Sequence, residues 1–412
     1  MPKINPFRPN HPVSPGMFAG RLEEIRELEK GLWQTKNGHP NNYLITGERG
    51  IGKSSLIQLI KYFSQGDIES SYGVKFNFVS VQLVISDRTN IITAVKLIER
   101  LLKRELGKIE KVKSFLDSTW EFVQRIKIMD SGIESTSQNS EIDILIDDFA
   151  YSLAQTCKRI TAKQDETKSK DGIIFYIDEA DNACENLHLG YLLKVVSELL
   201  IQHDCHNVMF IVAGLPIVID KLSISHPSSI RIFNHLIIKE LSPDDRKYVV
   251  DSGIKQGNEI NDEITTITNE ASTLISTLSE GYPHFIQQFS YSAFDYNTDG
   301  EINKDDVTGG AFGKGGALDE IGTRYYHSAY NEQIKSDDYR EVLSIMADSM
   351  NSWIKKSDIV EKFSGADHTV TDALKALTSR KIILKNPSKR GEYRLQQRGF
   401  ALWIKLFGER KK

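Results

Sequence analysis

A chain of 412 residues is too long for one typical hydrophobic core, so two or three packed units are expected. Hydrophobic residues make up 40% and charged residues 26%, which excludes a mainly disordered chain. Net charge is only −4 but unevenly spread: residues 351–412 carry 15 Lys/Arg against 6 Asp/Glu, a net +9, which leaves 37 against 50, a net −13, for the rest. No run of about 18 apolar residues occurs and the start lacks the apolar stretch of a secretion signal, so a cytoplasmic protein with no membrane partner is expected. Cys157, Cys184 and Cys205 are scattered and odd in number, which argues against a disulfide framework and against a CxxC zinc site.

In chain order, the first element of note is Phe18-Ala19-Gly20-Arg21-Leu22-Glu23-Glu24-Ile25, which reads as a helix start. Asn42 to Thr46 follows as a short buried strand. It runs directly into Gly47-Glu48-Arg49-Gly50-Ile51-Gly52-Lys53-Ser54-Ser55 and then into the helical pattern Leu56, Ile57, Leu59, Ile60. This is the GxxxxGK[ST] phosphate-binding loop between strand and helix. Its glycines let successive N–H groups face the phosphates, and the helix offers its positive end to them. Lys53 is expected on the β- and γ-phosphates, and the Ser54 hydroxyl on Mg²⁺.

Between Ser114 and Lys170 the chain exceeds what a minimal core needs. Val123 to Ile128 alternates like a strand and Asp130 to Ile133 reads as a turn, so an inserted hairpin at about 118–140 is expected. The next run, Ile173-Ile174-Phe175-Tyr176-Ile177-Asp178-Glu179, is apolar throughout and ends in two carboxylates. That is the pattern of a central parallel strand carrying the second half of a nucleotide site. Asp178 is expected in the Mg²⁺ shell and Glu179 beside the attacking water, because hydrolysis of the γ-phosphate needs a base there. Asp178-Glu179-Ala180-Asp181 also spells a helicase tetrapeptide, but no second core or arginine-rich helicase motif follows.

Val208 to Pro216 reads as a further buried strand, and Ser228 to Phe233 precedes Leu241-Ser242-Pro243-Asp244, a helix opening. Gly281-Tyr282-Pro283-His284 is a turn after a helical segment. Asp295 to Asp306 nearly fits a calcium-loop template, with oxygen side chains at positions 1, 3, 5 and 9, Gly at 6 and Ile at 8. Position 12 is Asp rather than Glu, and the stretch more simply links helices and caps the next one through Asn303 or Asp305. From Tyr339 onward three amphipathic helices precede a hairpin, Ile382 to Lys385 and Tyr393 to Leu395, about the turn Asn386 to Gly391. Three helices and a β-wing make a winged helix. His368, Thr369, Thr371, Lys375 and Arg380 then lie on or beside the recognition helix, with Lys389 and Arg390 at the wing tip, a pattern suited to phosphates.

With these motifs in place the chain resembles AAA+ ATPases of the origin-recognition initiator type and the related STAND signalling ATPases. The resemblance implies an α/β P-loop NTPase, a parallel sheet flanked by helices, with residues 1–240 as the core, 241–335 as a helical lid and 336–412 as the winged-helix domain. It implies that Arg21 lies over the nucleotide, that Pro283 leans on the base, and that Arg231 reaches a neighbouring subunit's nucleotide as an arginine finger. The fourth strand of the family ends in a polar γ-phosphate sensor; Ala213 and Gly214 carry no side-chain hydrogen-bonding group. The expected protein is a Mg²⁺-dependent ATPase switch that forms homo-oligomers and acts on DNA or on a DNA-processing partner such as a nuclease or transposase. The alternative is a signalling or defence scaffold whose winged helix binds protein only.

Overall fold

Five short strands pair into one parallel sheet in the computed structural model, which describes residues 3–408 except 14, 108–109, 125–137, 163–168, 351, 381 and 387. The chain divides into two units, Arg21–Lys239 and Met1–Gly20 with Glu240–Lys412.

The first unit runs α1 (Leu22–Lys36), β1 (Asn42–Thr46), α2 (Lys53–Gln65), β2 (Val79–Val84), α3 (Ile91–Leu106), α4 (Glu110–Thr119), α5 (Gln138–Thr161), β3 (Ile173–Asp178), α6 (Leu189–Gln202), β4 (Val208–Gly214), α7 (Val218–Ser225) and β5 (Phe233–Ile237). The sheet order is β2-β3-β4-β1-β5, all parallel. Residues Ile173 to Ile177 are all buried, because β3 has a strand on each side and helices on each face. Side-chain alternation assigns the faces. Phe175 stacks on Phe210, ring centroids 5.2 Å apart, on the face covered by α3, α5 and α6. Tyr176 points the other way, where its hydroxyl donates to Ser64 Oγ of α2 at 2.8 Å. Because the strands are parallel, the C-terminal ends of β1, β3 and β4 share one edge, with Thr46 opposite Gly214 and Ile177 opposite Val212. Crevices outside such ends are where open α/β sheets bind ligands.

One expectation for this unit lies mostly outside the described residues and another changes. The hairpin expected at about 118–140 falls largely on 125–137, outside the described residues; around them α4 reaches Thr119, 120–121 form a turn, 122–124 are helical and α5 starts at Gln138. Trp120 and Val123 are both buried. Trp120 packs edge-on against Phe149 and donates its indole N–H to Thr156 Oγ1 at 3.0 Å. Secondly, residues 1–20 were expected with the core but group with the other unit. There Phe7 is buried against Gly253, where a Cβ would lie 2.2 Å from its ring. Asn5 donates to Asp295 Oδ1 at 2.7 Å, and the Arg8 N–H to Gln287 Oε1 at 2.9 Å.

The second unit contains α8 (Pro243–Ile260), β6 (Thr266–Ile267), α9 (Asn269–Leu278), α10 (Pro283–Tyr296), β7 (Glu301–Ile302), α11 (Lys304–Phe312) and α12 (Ala317–Tyr325). Ser242 caps α8 by accepting the Asp245 N–H, with Pro243 at the first helical position where its missing donor costs nothing. The loop expected as a calcium candidate closes on an amide instead. Asn297 Nδ2 donates to Asp299 Oδ1 (2.8 Å), Glu301 O (3.1 Å) and Asp306 Oδ2 (3.2 Å), so the oxygens a cation needs are drawn onto a side-chain donor. Asn303 and Asp306 then form a capping box for α11.

The same unit ends with α13 (Asp337–Asp348), β8 (Ile354–Lys355), α14 (Lys356–Lys362), α15 (Asp367–Ser379), β9 (Ile383–Lys385), β10 (Glu392–Leu395) and α16 (Arg398–Phe407). Among the described residues this stretch holds four helices, and β8-β10-β9 form an antiparallel sheet. Trp403 is buried against Tyr330. Among the described residues no helix is long and apolar enough to cross a membrane.

Candidate nucleotide site

The loop between β1 and α2 has the backbone its glycines require. Gly50 and Gly52 sit at φ 78° and 100°, a region other residues avoid. Gly47 answers a different demand: a Cβ there would stand 2.9 Å from Ile238 O and 2.9 Å from Ile51 Cγ2. Ile238 cannot yield easily, since its N–H is bonded to Thr46 O at 2.7 Å. Ile51 is buried and anchors the loop from below, while Glu48 and Arg49 are exposed on its rim. Lys53, Ser54 and Ser55 form the first turn of α2, whose N-terminus therefore opens into the loop.

Lys53 reaches back over the loop, its ammonium donating to Gly47 O at 2.8 Å and Glu48 O at 2.9 Å. Burial pushes its pKa below the ordinary lysine value, against the pull of Asp178, Asp181, Glu48 and Glu179. Ser54 donates its hydroxyl to Asp178 Oδ2 at 2.6 Å. These two oxygens from different elements fit a hard cation that takes one carboxylate, one hydroxyl and substrate phosphates. Among the described residues no three His, Cys, Asp or Glu side chains cluster as a closed metal site.

Glu179 has φ 52°, a left-handed turn that swings its carboxylate off the strand axis into the open. Its N–H donates to Asp178 Oδ1 at 2.9 Å, and its own Oε2 accepts from Asn182 Nδ2 at 3.2 Å. Arg21, at φ 61° just before α1, donates to Ile51 O at 3.3 Å, so it meets the phosphate loop from outside. Arg21, Gly47 to Ser55, Asp178 and Glu179 thus come together in one unit. Arg231 lies exposed in the turn before β5, with no side-chain hydrogen bond or ion pair among the described residues. Pro283 opens α10 in the second unit, after Glu280 and Gly281 at φ 52° and 86°. Next to it, His284 Nε2 lies 3.5 Å from the Arg324 guanidinium.

Sequence reasoning missed four groups here. At the end of β4, where no polar side chain stands, Asp181 Oδ1 accepts the Leu215 N–H at 2.9 Å. A Cβ on Gly214 would meet that same oxygen at 2.8 Å, which accounts for the glycine. Lys221 Nζ donates to Ala183 O at 2.9 Å, bracing the acidic loop from α7. Asn182 holds Glu179, and His235 of β5 lies 2.7 Å from Thr46 Oγ1, immediately before Gly47. Only Asn182 had a local signal, three residues after Glu179 on a tight turn; His235 is brought in by strand pairing alone.

No protein-family model matches the chain. Over 293 residues, 69% of its length, it is 26% identical to an uncharacterised HTH-type transcriptional regulator of Methanocaldococcus jannaschii, and it spans 65% of the length of that relative. Among solved structures it is similar to the Aeropyrum pernix ORC2 protein in its ADPNP–ADP complexes, with 13% identity, 98% of each chain covered and a TM-score of 0.57. The Aeropyrum pernix ORC1 protein in complex with DNA aligns with 14% identity over 95% of this chain and 93% of its own, at a TM-score of 0.45. The likeness to ORC2 covers 98% of the chain and agrees with the five-stranded parallel sheet: the fold is that of an α/β P-loop NTPase.

Proposed function

We propose that this chain is a Mg²⁺-dependent ATPase that uses ATP as a switch, assembles with copies of itself, and acts on DNA or a DNA-processing partner such as a nuclease or transposase. The observation that carries the reading is the contact of Ser54 with Asp178 at 2.6 Å beside the glycine loop and Lys53. The loop N–H groups and the start of α2 cradle the phosphates. Lys53 exchanges its two carbonyl partners for phosphate oxygens, which relieves the burial of an ammonium held only by neutral acceptors. Ser54 and Asp178 would hold Mg²⁺, which neutralises phosphate charge when bound. Glu179 takes the proton of the attacking water, and Asn182 orients its carboxylate until water arrives. Arg21 contacts the nucleotide, and Arg231 serves a neighbouring subunit, where a guanidinium matches the charge spread over the γ-phosphate.

DNA is assigned to the C-terminal winged helix on the strength of its net charge of +9 over residues 351–412. A second reading, a signalling or defence scaffold whose winged helix binds protein only, draws support from Asp367 and Asp372 on the exposed side of α15. The test pairs two assays on the purified chain. Steady ATP turnover that Glu179→Gln abolishes while retaining nucleotide binding supports the ATPase. Salt-dependent binding to random duplex supports the DNA reading, and none at low salt favours the scaffold.

A further inference from the structure

Within the C-terminal residues the cations are not where a recognition helix would need them. Helix α15 carries Asp367 and Asp372 against Lys375. Arg380, just past its end, donates to Gln333 O at 2.7 Å. Residues 382–395 differ: Lys385, Lys389, Arg390 and Arg394 accompany one acidic residue, Glu392, which is held by Asn386 Nδ2 at 2.8 Å, and from outside this stretch the half-buried Glu280 also faces Arg394.

The sheet register adds an aromatic group to this charge. Tyr393 pairs with Ile354, so Arg394 comes beside Trp353, and its guanidinium lies 5.0 Å from the indole ring centroid. Ile354, Ile383 and Leu395 are buried on one side of the sheet, and alternation puts Trp353, Lys355, Glu392 and Arg394 on the other. Trp353 is 39% exposed there even with the arginine stacked on it. An exposed indole and a planar guanidinium amid lysines are the ingredients of single-strand recognition: a π-face for a base and cations for the backbone. An acidic protein surface would use the lysines without needing the exposed indole, whereas an unpaired strand uses both.

We propose that Trp353 and Arg394 form a stacking platform for an unpaired nucleobase, with Lys355, Lys389 and Arg390 taking the flanking phosphates. The proposal rests on the reading that this domain meets nucleic acid, and it adds which face and which form of nucleic acid. The test measures full-length protein against three labelled probes at low salt: a dT 12-mer, an abasic 12-mer of equal charge, and a 12-base-pair duplex. The wild type is expected to bind dT about 5- to 150-fold more tightly than the abasic strand, the range of one stacked base. Trp353→Ala removes that preference and leaves abasic and duplex binding unchanged. Arg394→Lys, which keeps the charge but loses the plane, lowers the preference with the fold intact by melting. The double variant Lys389→Ala/Arg390→Ala weakens all three probes. A wild type that binds duplex without preferring dT overturns this inference and leaves the DNA reading standing. Trp353→Ala with an unchanged preference, or with all three probes weakened equally, also overturns it. Wild-type binding to a polyglutamate peptide but to no oligonucleotide overturns both.

Discussion

Gly47→Ala isolates the shape of the phosphate loop from its chemistry. Its φ is not in the left-handed region, so alanine meets no backbone penalty there and the effect is steric. The new methyl would stand 2.9 Å from Ile238 O and from Ile51 Cγ2, and 3.2 Å from Ile238 Cβ. Relief to ordinary contact needs a shift of about half an ångström, and overpacking of this kind costs about 1–3 kcal/mol. Ile238 is tied to Thr46 by a 2.7 Å hydrogen bond, so the loop gives way and its N–H groups turn off the phosphates. For a unit of residues 21–239, a loss of about 2–4 °C per kcal/mol puts the fall in melting temperature at about 2–12 °C. Loss of one or two charge-assisted contacts weakens nucleotide about 10- to 100-fold. Melting with and without Mg²⁺ and a non-hydrolysable ATP analogue reads both effects. A variant that melts and binds as the wild type does would refute the reasoning that Gly47 is there for close approach.

Lys53→Met should raise the melting temperature of the nucleotide-free protein at neutral pH while abolishing binding. The sign follows from the lowered lysine pKa: the folded state disfavours the charged form, so the penalty is complete below the folded pKa and fades as pH rises towards the unfolded value. Melting curves from pH 7 to 10 should show the stabilisation shrinking, and a constant difference contradicts it. Asn182→Ala should change kcat with little change in KM, because the residue touches Glu179 and not the loop; turnover assays across ATP concentration decide. Calcium should leave the melting temperature unchanged, whereas Asn297→Ala should lower it by a few degrees through loss of three hydrogen bonds. A calcium-induced rise in melting temperature would reopen the cation reading.

What was legible in the sequence was local. The glycine spacing before Lys53 and the apolar run ending at Asp178 are written in consecutive residues, and the sheet brings them to one edge as parallel strands must. The hairpin expected near Val123 falls mostly on residues 125–137, outside the described residues; beside it, the burial of Trp120 against Phe149, 29 residues on, is a contact no local pattern announces. Likewise, nothing near Phe7 announces that Gly253 leaves room for its ring. The calcium-like loop fits its template at most positions, yet the Asn297 amide donates to oxygens of Asp299, Glu301 and Asp306 that a cation would need. Pairing of β1 with β5 brings His235 to Thr46, a distance of 189 residues along the chain that no motif spans.

The central claim is that the site built on Gly47 to Ser54 and Asp178 binds Mg-ATP. Calorimetric titration of a non-hydrolysable ATP analogue with Mg²⁺ into wild type and Lys53→Ala tests it most directly. The predicted result is one saturable site in the wild type and none in the variant. No binding to the wild type, or equal binding to both, contradicts the account.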